Sequence, residues 1–212
     1  MATSGAAPAG PDFWHNARQE FGRPSNVSEP ETRDFRTDER LFAAINRGDL
    51  SAFDTLYERY APWVHALAFR FTRNEADALD VLQDAFAYVV KKAPHLRLTA
   101  RATTFLYPVV KHAAITRIRR RDREGNLSVE ALHNLTAPPA DRSGDLGDLQ
   151  DAMGRLSEAH REVILMRYID GMSQEEIADA LGVPVGTIKS RLHHAIRTLR
   201  DDPRTRDYFD AP

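Results

Sequence analysis

Between Val185 and Arg200 the chain reads "VGTIKSRLHHAIRTLR", and every ionisable residue in it is a base or a histidine. Taken as a helix, Ile188, Leu192, Ala195, Ile196 and Leu199 recur at three- and four-residue steps and form one apolar stripe. The outer faces then carry Thr187, Lys189, Ser190, Arg191, His193, His194 and Arg197. These are hydrogen-bond donors and cations, the side chains that reach base edges and phosphates from a helix lying in the major groove. A solvated surface helix accounts for the stripe but not for an outer face made of donors throughout.

A second basic segment lies upstream. From Arg101 to Arg123 seven basic residues stand against Asp122 alone. The whole chain of 212 residues carries a net charge of only −2, because acid collects at Glu75, Asp77, Asp80 and Asp84 and again at Asp141, Asp145, Asp148 and Asp151. A near-neutral chain with two concentrated basic segments implies two separate contacts with a polyanion. Each segment taken singly also fits an ordinary solvated helix face.

Other chemistries find little support. The eight histidines are scattered, His193 and His194 being adjacent, and no zinc, triad or nucleotide signature is present, so no enzyme activity, cofactor or metal is expected. "GVPVGTIKS" superficially resembles a phosphate-binding loop, but only three residues separate its glycines and Lys189 follows Gly186 by three positions. The absence of cysteine fits a reducing compartment. No apolar run approaches the roughly 18 residues of a membrane span. The N-terminus "MATSGAAPAGP" lacks the basic start and apolar core of a secretory signal, which predicts a cytoplasmic protein.

The elements that must hold these side chains are all helical. Residues 1–37, rich in Ala, Pro, Gly and Ser, read as a disordered extension in which "FWHNARQEF" has the makings of a short helix. Thr37 is the expected N-cap of a first helix that Gly48 closes. A second runs from Leu50 to about Thr72, with a kink expected at Pro62, and Asn74 caps a third that reaches about Lys92. A fourth spans about Arg101 to Arg121. From Asp122 to about Gly147 periodicity vanishes in an acidic, proline-containing stretch that reads as a flexible linker, and helical signals resume at Leu149.

In the final segment, Ser173 and Glu176 have the spacing of a capping box. Ile177, Ala178 and Leu181 face inward, Gly182 supplies a left-handed residue, and Val183–Pro184 sets a short turn into the basic helix. The expected fold is therefore all-α: two small helical domains joined by a flexible linker, the second a helix-turn-helix.

With these residues in view, the chain resembles the sigma-70 family of bacterial transcription initiation factors, in its extracytoplasmic-function (ECF) group. "LSEAHREVILMRYIDGMSQEEIADALGVPVGTIKSRLHHAIRTLR" resembles that family's region 4, and "GDLSAFDTLYERYAPWVHALAFRFTRNEADALDVLQDAFAYVV" resembles region 2. The resemblance implies residues 38–121 as region 2, 122–148 as linker, 149–200 as region 4 and 201–212 as a polar tail.

It also implies a division of labour. "DALDVLQDAF" corresponds to the segment that docks on the coiled coil of the polymerase β′ subunit, through Asp77, Asp80, Gln83 and Asp84 with Val81 and Phe86 as apolar neighbours. "HLRLTARATTFLYPVVKHAAITRIRRR" corresponds to the part that opens and reads the −10 promoter element. There Arg97, Thr99, Phe105, Tyr107, Lys111 and His112 are candidates for base contact, and Arg117, Arg119, Arg120 and Arg121 for phosphates. Phe105 and Tyr107 equally suit a helix core. Thr187, Lys189, Ser190, Arg191, His193, His194 and Arg197 would read the −35 element, and an apolar surface near Ile164 and Leu165 would meet the flap of the β subunit.

The implied partners are bacterial core RNA polymerase, promoter DNA and an anti-sigma factor or other regulator, with no membrane insertion and no enzymatic substrate. The implied location is the cytoplasm, on the nucleoid when bound to polymerase. Leu79, Pro108 and His112 depart from the family's usual residues, which leaves open a sigma-like chain that binds partners but not promoters. A response-regulator output domain would need a receiver domain with strands, and residues 38–121 show only helical patterns.

Overall fold

The computed structural model describes residues 35–92, 98, 100–124, 145–203 and 205, and no strand occurs among them. Four helices form the first of two compact units: α1 (Phe35–Ile45), α2 (Leu50–Thr72), α3 (Glu75–Lys92) and α4 (Ala102–Glu124). The second unit is built on α5 (Asp145–Arg155), α6 (Glu158–Ile164), α7 (Gln174–Leu181) and α8 (Val185–Asp201). Between α6 and α7 the chain takes a π-helical turn over Leu165–Ile169. The all-α, two-domain architecture matches the expectation from the sequence.

In the first unit, α2, α3 and α4 pack on one another and α1 lies on α2. The apolar stripes meet at Leu56, Tyr60, Val64 and Leu67 of α2, Val81, Ala85 and Val89 of α3, and Leu106, Val110 and Ala114 of α4, all buried. Local chemistry sets the helix ends. The Asp49 carboxylate accepts the Ser51 and Ala52 amides at 3.0 and 3.3 Å, and its hydrogen bonds, the Ser51 hydroxyl foremost, hold its pKa below the ordinary aspartate value. Arg73 takes the left-handed conformation at φ 53° and donates its amide to Phe69 at 3.0 Å, closing α2. Asn74 accepts the Asp77 amide at 2.9 Å, as its cap position requires.

One expectation changes here. α1 starts at Phe35, so Thr37 lies inside the helix instead of capping it. The stronger tie is Asp38, buried and held by the Arg59 guanidinium at 2.7 Å and by the Tyr60 hydroxyl. Pro62 and Pro108 both fall within helices that continue past them. Both prolines are themselves exposed.

In the second unit α6 packs against α8. Arg161 is buried and donates to the carbonyls of Met153, Gly154 and Leu156 at 2.8, 3.0 and 3.1 Å, satisfying the C-terminal end of α5. Burial lowers its pKa from the ordinary guanidinium value, with Glu158 opposing. The π turn shows in the five-residue bond from the Asp170 amide to Leu165 at 3.0 Å, and past it the Met172 amide returns to Met166 at 3.0 Å. Ile164 and Leu165 are buried, so the apolar surface expected at these two residues is core instead.

The limits of this unit also differ from the sequence reading. α5 begins at Asp145, inside the stretch read as linker, and α4 extends to Glu124. Past α8, Asp202 and Thr205 are buried: Arg155 pairs with Asp202 at 3.0 Å and the Thr205 hydroxyl donates to Leu199. The start of the polar tail thus folds back onto the unit. The extension read as disordered lies, but for its last three residues, outside the described residues, as does most of the linker.

Candidate nucleic-acid interface

The helix-turn-helix forms as its capping chemistry dictates. The Glu176 amide donates to the Ser173 hydroxyl at 3.1 Å while the Ser173 amide donates to the Glu176 carboxylate at 2.7 Å. Gly182 has φ +65°, a conformation that glycine enters without steric penalty, and the Val183 amide returns to Ala178 at 3.0 Å. Ile188, Leu192, Ala195 and Leu199 are buried along α8, with Ile196 at their margin.

The opposite faces of α8 expose Lys189, Ser190, His193, His194 and Arg197, with Thr187 and Arg191 half-buried. His194 also stacks on His160 of α6, ring centroids 6.1 Å apart and planes 19° from parallel. Burial first, then the proximity of His194 and Arg191, holds the His160 pKa below that of an ordinary histidine. Sequence spacing gave no sign of this pairing, because His160 lies 34 residues before its partner.

The first unit presents a different surface. Arg119 and Arg120 are exposed on α4, while Arg117 and Arg121 turn toward α3. Arg117 Nε donates to one oxygen of Asp77 at 2.8 Å and Arg121 Nη1 to the other at 2.7 Å. Arg117 also pairs with Asp80. Asp77 is buried beneath these guanidiniums, and Val81 and Phe86 are core residues, so none of the three lies open for a polymerase contact. Of the α3 residues assigned to that contact, Asp80, Gln83 and Asp84 remain accessible, and the neighbouring Leu79 is exposed.

The −10 candidates divide similarly. Tyr107 is buried, edge-on to Phe71 at 6.4 Å, and serves the core. Phe105 is half-buried, edge-on to Phe42 at 6.0 Å and stacked on Tyr88 at 6.4 Å. Lys111 is half-buried and His112 exposed. Arg97 and Thr99 lie outside the described residues. Between α3 and α4 runs a groove of about 760 Å³, lined in part by Asp84, Tyr88, Phe105, His112, Arg117 and Arg120. Sequence reading passed over Tyr88, although it lies one turn beyond Asp84.

Among the described residues, no group of three or more His, Cys, Asp or Glu side chains is arranged to hold a metal ion, and no helix is long and apolar enough to cross a membrane. A helical bundle with an arginine-rich helix beside an aromatic groove, together with a helix-turn-helix whose second helix is donor-lined, defines a two-module DNA-binding protein. Residues 56–124 match the family model for sigma-70 region 2, and residues 146–199 match that for sigma-70, region 4.

The chain is 33% identical over 163 residues to the ECF RNA polymerase sigma factor SigM of Mycobacterium tuberculosis (strain ATCC 25618 / H37Rv), covering 76% of this chain and 81% of the relative. It is 28% identical over 174 residues to the ECF RNA polymerase sigma factor SigW of Bacillus subtilis (strain 168), covering 76% and 93%. A similar solved structure is the sigma factor RpoE in complex with the anti-sigma factor NepR from Bartonella quintana, with a TM-score of 0.53, 25% identity, and coverage of 70% of this chain and 94% of that one. The chain belongs to the sigma-70 family, in its ECF group.

Proposed function

We propose that this chain binds bacterial core RNA polymerase and directs it to the promoters of a specialised set of genes. In this reading α8 enters the major groove at the −35 element, with Thr187, Lys189, Ser190 and Arg191 nearest the bases and His193, His194 and Arg197 further along. The first unit takes the −10 element along α4, where Arg119 and Arg120 hold phosphates and Phe105, Lys111 and His112 approach the opened strand. Arg117 and Arg121 contribute charge from a position set by Asp77. The exposed side of α3 at Leu79, Asp80 and Gln83 docks on the polymerase; with Leu79 apolar, this contact depends less on charge than an all-acidic face does.

The observation that carries the reading is the donor-lined face of α8 on a closed helix-turn-helix, in a chain that also matches region 2. The chain then works where polymerase works, in the cytoplasm and on the nucleoid, by binding and positioning rather than by catalysis. The regulator expected for it is an anti-sigma factor, the kind of partner seen with the related RpoE.

Reconstitution tests this directly. The purified chain is added to sigma-free core polymerase on genomic DNA, and the 5′ ends of run-off transcripts are sequenced. A shared two-part motif upstream of the starts is the expected result. Transcripts no more abundant or specific than those of core alone reject the reading.

A further inference from the structure

Three histidines meet where α6 packs on α8. His160 is fixed in the first turn of α6, its amide donated at 3.3 Å to the Ser157 hydroxyl that caps the helix. Its ring lies nearly parallel to that of His194, 6.1 Å away, and His193 stands edge-on to His194 at 5.6 Å. His160 is half-buried, whereas His193 and His194 are exposed. One helical turn to either side of His194 stand Ser190, Arg191 and Arg197. The stack thus ties one member of the donor-lined face of α8 to a different helix.

We infer that His160 is a positioning residue for the −35 contact: it holds the His194 ring in one orientation on α8, and it does so only while both rings are uncharged. The inference rests on the sigma-factor reading above. It adds a residue outside the two helices of the helix-turn-helix, and a dependence on pH.

An exposed histidine on a helix exchanges among rotamers, and ordering it when DNA binds opposes association. Stacked on His160, the His194 ring is ordered before DNA arrives, with its nitrogens available as one donor and one acceptor. Charge undoes the arrangement. Two imidazolium rings face to face repel, and the Arg191 guanidinium adds a third cation. Nearby acids offer no relief. Glu158 and Glu162 each stand two residues from His160 and so face away from it, and Asp201, the one acid of α8, lies at its far end beside Arg197. Arg161 is turned to the carbonyls that end α5, where Arg155 pairs with Asp202. Burial, then His194 and Arg191, hold the His160 pKa below that of an ordinary histidine, so the uncharged stack prevails at pH 7.5 and is lost as pH falls through the folded value.

The test uses holoenzyme formed from the full chain and core polymerase, with a labelled duplex carrying the upstream half of the motif found by transcript mapping. At pH 7.5 His160→Ala should weaken binding about threefold, the cost of ordering one side chain. In a His194→Ala background the same substitution should have no effect, which a general loss of stability would not produce. His160→Phe keeps a ring without a titrating nitrogen and should restore wild-type affinity at pH 7.5. At pH 5.5 wild type should bind about threefold more weakly than His160→Phe; comparing the two cancels any general effect of pH on polymerase or DNA, and a phenyl ring tolerates a protonated neighbour. In the full chain without DNA, the His194 ring proton resonances should move on His160→Ala while the amide resonances of Ile188, Leu192 and Leu199 stay in place.

An equal loss with and without His194 would show that His160 acts by itself, and no loss would show that the stack has no part in binding. Parallel pH profiles for wild type and His160→Phe would remove the dependence on charge. Each of these overturns the inference and leaves the sigma-factor reading standing. Holoenzyme that makes no promoter-specific transcript overturns both.

Discussion

On α4 of the first unit, Arg117 and Arg121 close on the buried carboxylate of Asp77, whereas on α8 of the second unit Lys189 and Arg191 form no salt bridge among the described residues. Arg197 pairs with Asp201, but at 3.7 Å with both side chains about 70% exposed, a contact that contributes little. Both helices are basic and both are assigned to DNA. One has part of its charge wired into the packing of the bundle. The other is held by an apolar stripe, and Lys189 and Arg191 on its outer side take no part in a salt bridge among the described residues. A protein can therefore tune its second reading surface by substitution far more readily than its first.

The strongest way to break this comparison is Asp77→Ala. It leaves the two guanidiniums of α4 without the buried anion they share, Arg117 keeping only its pair with Asp80. Loss of one partner from a buried pair costs about 3–5 kcal/mol, and the lower end applies because both arginines are partly open to water. Urea unfolding of the first unit should report a loss of about 3 kcal/mol; a shift below about 1 kcal/mol, the level of a surface pair, would show that the network is ornamental.

Arg161→Met sharpens the other side. It strips the charged donor from three carbonyls at the end of α5 and should destabilise the second unit by about 2–3 kcal/mol in the same measurement. The second unit too has an arginine built into its packing, buried at the end of α5.

Arg191→Ala then separates reading from folding. Binding of holoenzyme to its −35 element should fall by about 1–3 kcal/mol, the worth of a base contact, with the unfolding midpoint nearly unchanged. Arg121→Ala should lower both DNA affinity and stability. If Arg191→Ala unfolds the second unit instead, its charge is structural after all and the contrast between the two helices disappears.

The sequence disclosed most of the fold because periodicity and caps are local. Asn74, Ser173, Glu176 and Gly182 each act within a few residues of their own position, and each sits where its chemistry predicts. The interior carboxylate was not legible in the same way. Asp77 looks like any member of an acidic helix face, and its partners come 40 and 44 residues later on another helix. Arg161 has the same ambiguity, since only the folded corner brings three carbonyls to it. The apolar surface near Ile164 and Leu165 came from the family resemblance, and an apolar pair on a short helix does not by itself tell core from surface. For the candidate site, the donor face of α8 followed from helical spacing alone. The groove at Tyr88 and Asp84 did not, because it is made by two helices whose contact no one-dimensional pattern encodes.

The smallest effect probes the histidine pair beside the second basic helix. His160 is pressed by burial, by His194 and by Arg191, so its folded pKa lies below the unfolded value of about 6.5. The unfolded chain then binds the proton more readily than the folded one. The resulting contribution to stability is fully present above the unfolded pKa and is lost as pH falls through the folded pKa. Wild-type second-unit stability should therefore decline on acidification from pH 7.5 to 5.5, and His160→Gln should decline less over the same interval. In the first unit a carboxylate sits between the clustered cations; here an added proton meets another imidazole and a guanidinium instead. Equal pH slopes for wild type and His160→Gln would mean that the stacked pair absorbs the charge without strain, and that the second surface is as well compensated as the first.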